Sequence, residues 1–315
     1  MPGCLTFNSL SELPRPFGPC AITVGNFDGV HAGHRALIRR TVEVALENGW
    51  RAAALTFHPH PTKIVAPQKS PPLLSTVEER AALMCGLGLD AVVVLPFNKD
   101  VAWLSADDFV RTILLEELGA RAILVGDNFR FGRNAAGNTA TLSKLVATEI
   151  VNAVHCRGQV VSSSAVRHAV REGRVTRAWR MLQRPFSLKG EVVSGAGIGS
   201  RQTVPTLNLN PSGEVLPARG VYVTRTHDAE RGRTWDSVTN VGYRPTFGGE
   251  NLTVETFLLG PLDGESPRRI RVEFLYRLRD ERKFDDAGAL KQQILRDVGR
   301  ARKFHRRILR AGAII

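Results

Sequence analysis

Apolar residues in the first half of the chain follow two textures that alternate. Short buried runs recur at Ala21-Ile22-Thr23-Val24, at residues 51–57, at Val92-Val93-Val94 and at residues 122–125. Between them lie stretches with helical spacing: residues 35–46 (Ala36, Leu37, Val42, Ala45, Leu46), residues 76–87, and residues 105–118, which open with Ser-x-x-Asp capping chemistry. Strand and helix in alternation predict a parallel sheet covered on both faces, and such sheets bind ligands at the carboxyl ends of their strands. After about Phe186 the pattern shifts. Short Val-, Thr- and aromatic-rich runs (Glu191-Val192-Val193, Val221-Tyr222-Val223, residues 254–259 and 270–274) are separated by Gly, Pro and Asn, which predicts an antiparallel barrel or sandwich. One long helix, residues 286–309, closes the chain. The boundary falls near Pro185, giving domains 1–185 and 186–315.

The densest chemistry lies where the first buried run meets the first helix. Residues 25–34 read G-N-F-D-G-V-H-A-G-H. Glycines allow close backbone approach, and a helix N-terminus offers unpaired N–H groups and a positive dipole end, so the loop is suited to phosphate. His31 and His34, three apart, share one face of the first turn. A zinc pair would want a third ligand nearby, and none of Cys4, Cys20, Cys85 or Cys156 stands in a C-x-x-C pair or beside these histidines. Three further segments surround such a site. T-F-H-P-H-P (residues 56–61) ends a strand with a rigid turn bearing His58 and His60; by itself it reads as structural. G-D-N-F-R-F-G-R-N-A-A-G (residues 126–137) supplies Asn128, Arg130 and Arg133. Ser162-Ser163-Ser164-Ala165-Val166-Arg167 leads into a helix with hydroxyls and a guanidinium, either as N-caps or as a second phosphate clamp.

Length, 315 residues, allows about two domains. No apolar run reaches the roughly 20 residues that span a bilayer, and no basic-then-apolar leader opens the chain, so no membrane partner is expected. The four scattered cysteines suggest reduced thiols in a cytoplasm. The formal charge of +13 raises the question of nucleic acid. Much of the excess sits in the last helix (Arg296, Arg300, Arg302, Lys303, Arg306, Arg307, Arg310), where a charge run reads as a solvated face; no specific nucleic-acid partner is expected. The sequence leaves the oligomeric state open.

Taken together, G-x-F-D-x-x-H-x-G-H and the later Ser-Ser-x-x-Arg resemble the nucleotidyltransferase superfamily. The order T-F-H-P-H-P, G-D-N-F-R-F-G, V-S-S-S-A-V-R, R-P-F is similar to the adenylyltransferase half of the bacterial riboflavin kinase/FAD synthetase family. The second half resembles a flavokinase: residues 190–209 end in Pro205-Thr206-Leu207-Asn208 where the family has P-T-A-N, followed by P-A-R-G-V-Y, N-V-G-Y-R-P-T-F, V-E-T-F-L-L and R-x-E-x-K-F (Arg279, Glu281, Lys283, Phe284). The resemblance covers about residues 17–305. It implies a Rossmann-like nucleotidyltransferase domain followed by a flavokinase barrel with a C-terminal helix. It further implies riboflavin, FMN and ATP as small-molecule substrates, Mg2+ as metal, and FMN and FAD as products. The implied ATP site of the adenylyltransferase is Gly25, Phe27, Asp28, Gly29, His31, His34, Asn128, Ser163, Ser164 and Arg167. For the kinase it implies nucleotide or flavin binding by Gly195, Gly197, Gly199, Thr206, Asn208 and Arg279, magnesium on Thr206 and Asn208, and Glu255 as base. The residues alone favour Glu255 as an outward charge on an alternating strand.

Two other readings stand beside this one: a tRNA-binding synthetase-like protein, from the H-x-G-H loop and basic tail, and a flavin-binding regulator with a degenerate site. The chain departs from the family at Gly199-Ser200-Arg201-Gln202-Thr203-Val204, where G-R-x-L-G-F is usual, and at Leu207, where alanine is usual. His58 stands where an acid is common, and Asn128 where some members have Asp.

Overall fold

A computed structural model of the chain describes residues 3–193, 206–211, 215–246, 249–282, 284 and 286–311. The chain divides into two compact units, Met1–Ser163 and Ser164–Ile315.

The first unit contains β1 (Leu5–Phe7), β2 (Cys20–Val24), α1 (Ala32–Asn48), β3 (Arg51–His58), α2 (Pro61–Val65), α3 (Val77–Cys85), β4 (Ala91–Pro96) and α4 (Lys99–Trp103). A short α5 (Ala106–Asp108) runs on into a π-helical segment, Phe109–Glu117. Then come β5 (Ala120–Gly126), α6 (Thr139–Ser143), β6 (Ala147–Val151) and a small ribbon of β7 (His155–Cys156) and β8 (Gln159–Val160). Six strands form a wholly parallel sheet in the order β1-β4-β3-β2-β5-β6.

Alternation within each strand splits the core in two. Ile22, Val24, Leu55, Val93 and Ile123 pack with Phe109, Val110, Ile113 and Leu114 of the π-helical segment. Ala21, Ala54, Val92, Val94 and Leu124 pack with Ile38 and Ala45 of α1 and Met84 of α3. The predicted parallel sheet with helices on both faces is thus found. Strands β3 and β4 lie to one side of β2, β5 and β6 to the other, so the chain reverses direction at β2. That reversal opens the crevice in which such folds bind ligands.

Cys4 and Cys85 are joined in a disulfide, their Cα atoms 5.4 Å apart across a sequence separation of 81. The expectation of four reduced thiols is overturned for this pair. The pairing of β1 with β4 brings Cys4 to the end of α3, a long-range contact that local spacing does not announce. Cys20 and Cys156 are free, and burial pushes the Cys20 thiol up to about 12.

The second unit starts with the greater part of α7 (Ser163–Arg171), followed by α8 (Val175–Leu182). Its sheet is a closed six-stranded antiparallel barrel in the order β10-β13-β12-β11-β14-β9. The strands are β9 (Phe186–Val193), β10 (Thr206–Pro211), β11 (Gly220–Asp228), β12 (Thr234–Thr246), β13 (Gly249–Leu258) and β14 (Arg269–Arg279), and α9 (Ala287–Ala311) follows. Leu207, Leu209, Val254, Leu258, Ile270, Val272 and Phe274 fill the barrel. Between them runs a buried hydroxyl chain in which Thr224 bonds Ser237 and Thr239, Ser237 bonds Thr226, and Thr239 bonds Thr256, each at 2.8 Å. Every hydroxyl in that chain has a partner, which removes the cost of burying it. On the outer face, Val221, Val223, Val238 and Leu275 pack against Trp179 of α8 and Ala301 of α9. The basic helix is therefore solvated on one face only: Gln293, Asp297, Ala301 and His305, spaced by four, are buried.

Candidate functional site

In the first unit, β2 ends at the crevice and hands the chain to α1 through residues 25–31. His31 is the N-cap of α1, and its Nδ1 accepts a hydrogen bond from the His34 backbone N–H at 3.4 Å. An accepting Nδ1 places the neutral ring's proton on Nε2. The His31 and His34 rings stack, centroids 3.6 Å apart and planes 17° apart. A Cβ on Gly33 would lie 3.3 Å from the His31 ring, so the ring's position depends on that glycine. Burial, then His31, then Arg80 hold the His34 imidazole well below its usual range. His34 is therefore neutral near pH 7, and its buried Nδ1 has no hydrogen-bond partner among the described residues.

The loop is held in an unusual shape. Phe27 (φ 49°), Gly29 (φ 77°) and Val30 (φ 39°) all take left-handed backbone, and Val30 is β-branched and wholly buried. Such strain persists where surrounding contacts over-determine it, and it gathers at functional sites. The contacts are specific. Asp28, buried, accepts from the Leu74 N–H (3.0 and 3.1 Å), the Ser75 N–H (3.2 Å) and the Ser75 hydroxyl (3.4 Å). Gly29 N–H donates to Ser75 Oγ at 3.1 Å, and Ser163 Oγ donates to the Asp28 carbonyl at 2.9 Å. Buried Arg80 donates to the Asn26 carbonyl through Nη1 and to the Phe57 carbonyl through Nη2 at 3.2 Å. It thereby ties the loop after β2 to the end of β3.

These contacts redistribute the expected roles. Asp28 and Ser163 are engaged in building the loop. The Phe27 ring is buried and meets His34 edge-on at 5.2 Å, and Gly25 continues the β2–β3 ladder by donating to the Leu55 carbonyl at 3.1 Å. Asn128 is exposed in the turn after β5, the strand beside β2 at the reversal. Ser164 and Arg167 belong to the second unit, where Arg167 Nη1 donates to Ser164 Oγ at 3.3 Å. His60 caps α2, its Nδ1 accepting from the Thr62 N–H at 3.3 Å, as the structural reading of that turn expects. Arg80 and the Leu74–Ser75 amides were missed in the sequence, because their partners lie 23 to 54 residues away and carry no local pattern.

In the barrel, register gathers the second set. Asn208 of β10 stands opposite Glu255 of β13, which in turn stands opposite Asn240 of β12. Val254, Thr256 and Leu258 point inward and are buried, so Glu255 lies on the outer face with the two asparagines on either side. The outward placement of Glu255 leaves it within a polar row on the outside of the barrel. Thr206 stands two residues before Asn208 on β10, opposite Phe257, and its buried Oγ1 has no hydrogen-bond partner among the described residues. Leu207, in place of the usual alanine, faces the barrel interior and is buried there, away from the row. A Cβ on Gly242 would overlap Glu281 Oε1 and come 3.2 Å from Asn240 Nδ2, so Glu281 reaches the same neighbourhood. Arg279 is committed elsewhere: Nε and Nη2 each lie 2.9 Å from Asp297 Oδ2. Gly195, Gly197, Gly199 and Lys283 lie outside the described residues.

Comparison with known proteins bears on both units. Residues 14–165 match the FAD synthetase family and residues 182–305 the riboflavin kinase family. The bifunctional riboflavin kinase/FMN adenylyltransferase of Pseudomonas fluorescens is 36% identical over 289 residues, covering 90% of this chain and 92% of the relative. Its counterpart in Escherichia coli (strain K12) is 32% identical over 306 residues, covering 94% and 96%. A solved structure from Streptococcus pneumoniae, described as a macrolide-efflux protein, superposes with a TM-score of 0.85 at 25% identity over 95% of this chain and 98% of that one.

Proposed function

The chain belongs to the family of bifunctional riboflavin kinases/FMN adenylyltransferases, and from that premise we propose which of its residues run the two reactions. The enzyme phosphorylates riboflavin to FMN with ATP and then transfers the adenylyl group of a second ATP to FMN, giving FAD and pyrophosphate. Adenylyl transfer is assigned to residues 1–185 and phosphorylation to residues 186–315, with 14–165 and 182–305 as the segments matched to the two families.

The observation that carries the adenylyltransferase assignment is the stacked His31–His34 pair capping α1 at the strand reversal. In that step an FMN phosphate oxygen attacks the α-phosphorus of ATP and the bond to the pyrophosphate oxygen breaks. The nucleophile is already an anion, so no general base is needed. The site must align the two phosphates and stabilise the charge that grows on the α-phosphate. Imidazole N–H donors and the first N–H groups of α1 do this, with Asn128 as a further contact to ATP. Gly25, Phe27, Asp28, Gly29 and Ser163 shape the loop.

In the kinase the nucleophile is a neutral ribityl hydroxyl, which benefits from a carboxylate that takes its proton as the bond to the γ-phosphorus forms. Glu255 is placed in that role, and Asn208 and Asn240 on either side orient it. Thr206 and Asn208 supply the hard oxygen donors that magnesium prefers, and the partnerless Thr206 hydroxyl fits such a ligand. Bound there, the metal neutralises phosphate charge. Gly195, Gly197 and Gly199 are assigned to the nucleotide. Arg279 acts indirectly, fixing the segment before α9 through Asp297. That both steps draw on ATP supports a cytoplasmic enzyme.

The test is substitution of His31. His31→Ala should lower FAD formation from FMN by about 10²-fold or more, the scale for losing one preorganised donor, with FMN formation from riboflavin near wild type. Equal loss of both activities would refute the assignment.

A further inference from the structure

A cleft of about 760 Å³ opens in the second unit between the C-terminal half of α9 and the ends of β12 and β13. It is distinct from the kinase row: Leu259 lies four residues beyond Glu255, about 13 Å away at roughly 3.3 Å per residue. The volume is that of a small-molecule site.

Its two walls differ in chemistry. Arg302, His305, Arg306 and Leu309 recur at helical spacing and so present one face of α9 to the cleft. Both arginines are exposed, and neither has a carboxylate partner among the described residues. The opposite wall is apolar and flat, made by Trp235, Leu259 and Pro261. Trp235 is fixed in place: its indole N–H donates to the Pro261 carbonyl at 3.0 Å, and the Arg233 guanidinium lies 5.1 Å from its ring centroid.

At the base sits His305, only 2% exposed. Its Nδ1 lies 2.9 Å from Asp236 Oδ1, and Asp236 is held below the usual carboxylate range first of all by this histidine. The other ring nitrogen, Nε2, is buried with no hydrogen-bond partner among the described residues. With Nδ1 turned to the carboxylate, Nε2 of the neutral ring is left as an acceptor. Buried polar atoms are rarely left without partners, and this one belongs to a residue lining a cleft whose rim carries two arginines. Asp263, the remaining acid of the lining, offers a hydroxyl-bearing ligand an acceptor.

We propose that this cleft is a second, non-catalytic binding site for a phosphate monoester carried on a planar heteroaromatic group. The phosphate is held by Arg302 and Arg306, the ring lies along Trp235 and Pro261, and His305 Nε2 accepts from a hydroxyl of the ligand. Nucleotides and flavin phosphates share this chemistry, and the experiment separates them.

The test uses the full-length enzyme labelled with 5-fluorotryptophan, the Trp235 resonance being assigned by its loss in Trp235→Phe. AMP, FMN, riboflavin and inorganic phosphate are titrated separately. The Trp235 signal should shift saturably with AMP or with FMN, and whichever does so names the source. Riboflavin and inorganic phosphate should bind at least tenfold more weakly. The double variant Arg302→Ala/Arg306→Ala should weaken the effective ligand tenfold or more, while initial rates of FMN and FAD formation stay within twofold of wild type. An unmoved Trp235 signal with both AMP and FMN at millimolar concentration overturns the proposal. So does a shift that persists in the double variant, since it then originates at the catalytic sites, or an equal response to phosphate alone.

Discussion

Asp28→Asn is the sharpest perturbation of the adenylyltransferase loop, because it preserves volume while reversing the hydrogen bonding of one carboxylate oxygen. In the native loop that carboxylate receives the Leu74 and Ser75 N–H groups and the Ser75 hydroxyl, all within 3.4 Å and all buried. An amide that keeps its oxygen at the Oδ1 position loses the charge all three donors meet and turns an NH2 donor toward the Leu74 N–H, which Oδ2 receives at 3.1 Å. Hydrogen bonds to a charged group contribute about 1.5–3 kcal/mol each, and leaving a buried donor unmet costs about 1–3 kcal/mol, so a loss of about 2–4 kcal/mol follows for the first unit. For a unit of that length each kcal/mol moves the midpoint by roughly 2–4 °C, so its transition should fall by about 5–15 °C. Calorimetry should show this in one transition only. The functional consequence is larger, since the clamp sustains the left-handed Phe27 and Val30 from which His31 and His34 take their positions. A displacement of about 1 Å at reacting groups costs on the order of 10²-fold. FAD formation from FMN should drop on that scale, with FMN formation from riboflavin unaffected. A variant with an unshifted transition and FAD formation within about threefold of wild type would refute the clamp.

Three other outcomes follow from the same geometry. His34 is held neutral, its folded pKa below the unfolded one, so the unfolded chain binds the extra proton; its contribution is complete above about pH 6.5 and is lost as pH falls from there toward the folded value, at up to about 1.4 kcal/mol per pH unit. His34→Gln should flatten the acid limb of the first unit's stability curve, and an unchanged limb would contradict the shift. Thr206→Val removes a buried hydroxyl without a partner, so stability should hold or rise by about 1 kcal/mol while FMN formation and its response to magnesium fall; a loss of stability with normal kinase activity would reverse the reading. Cys4→Ser should lower the first unit's stability by about 4 kcal/mol at this loop length in non-reducing buffer and by little under dithiothreitol, and equal curves in non-reducing buffer would discount the bridge.

Periodicity was enough to read the parallel sheet, since residues 21–24, 92–94 and 122–125 are apolar runs that only two-sided burial explains. It was enough for the barrel too, because Val254, Thr256 and Leu258 alternate with Glu255 and Phe257 as a one-sided wall must. The helix-end histidines were legible because the chemistry of a helix N-terminus is local. What escaped was made by distance along the chain. Arg80 grips Asn26 and Phe57, Asp28 holds Leu74 and Ser75, Cys4 meets Cys85, and Asn240 joins Glu255 only through strand register. The basic tail was half legible: its charge showed a wet face, while the buried Gln293, Asp297, Ala301 and His305 row is polar enough to hide its packing role.

Complementation between two single-site variants tests most directly that two separate sites act in turn. Glu255→Gln should convert supplied FMN to FAD and make no FMN from riboflavin, and His31→Ala should accumulate FMN. Mixed in equal amounts with riboflavin, ATP and magnesium, the two proteins should again produce FAD, after a lag set by release of FMN from one and capture by the other. A mixture that yields no FAD, or a single variant that has lost both activities, would contradict the account.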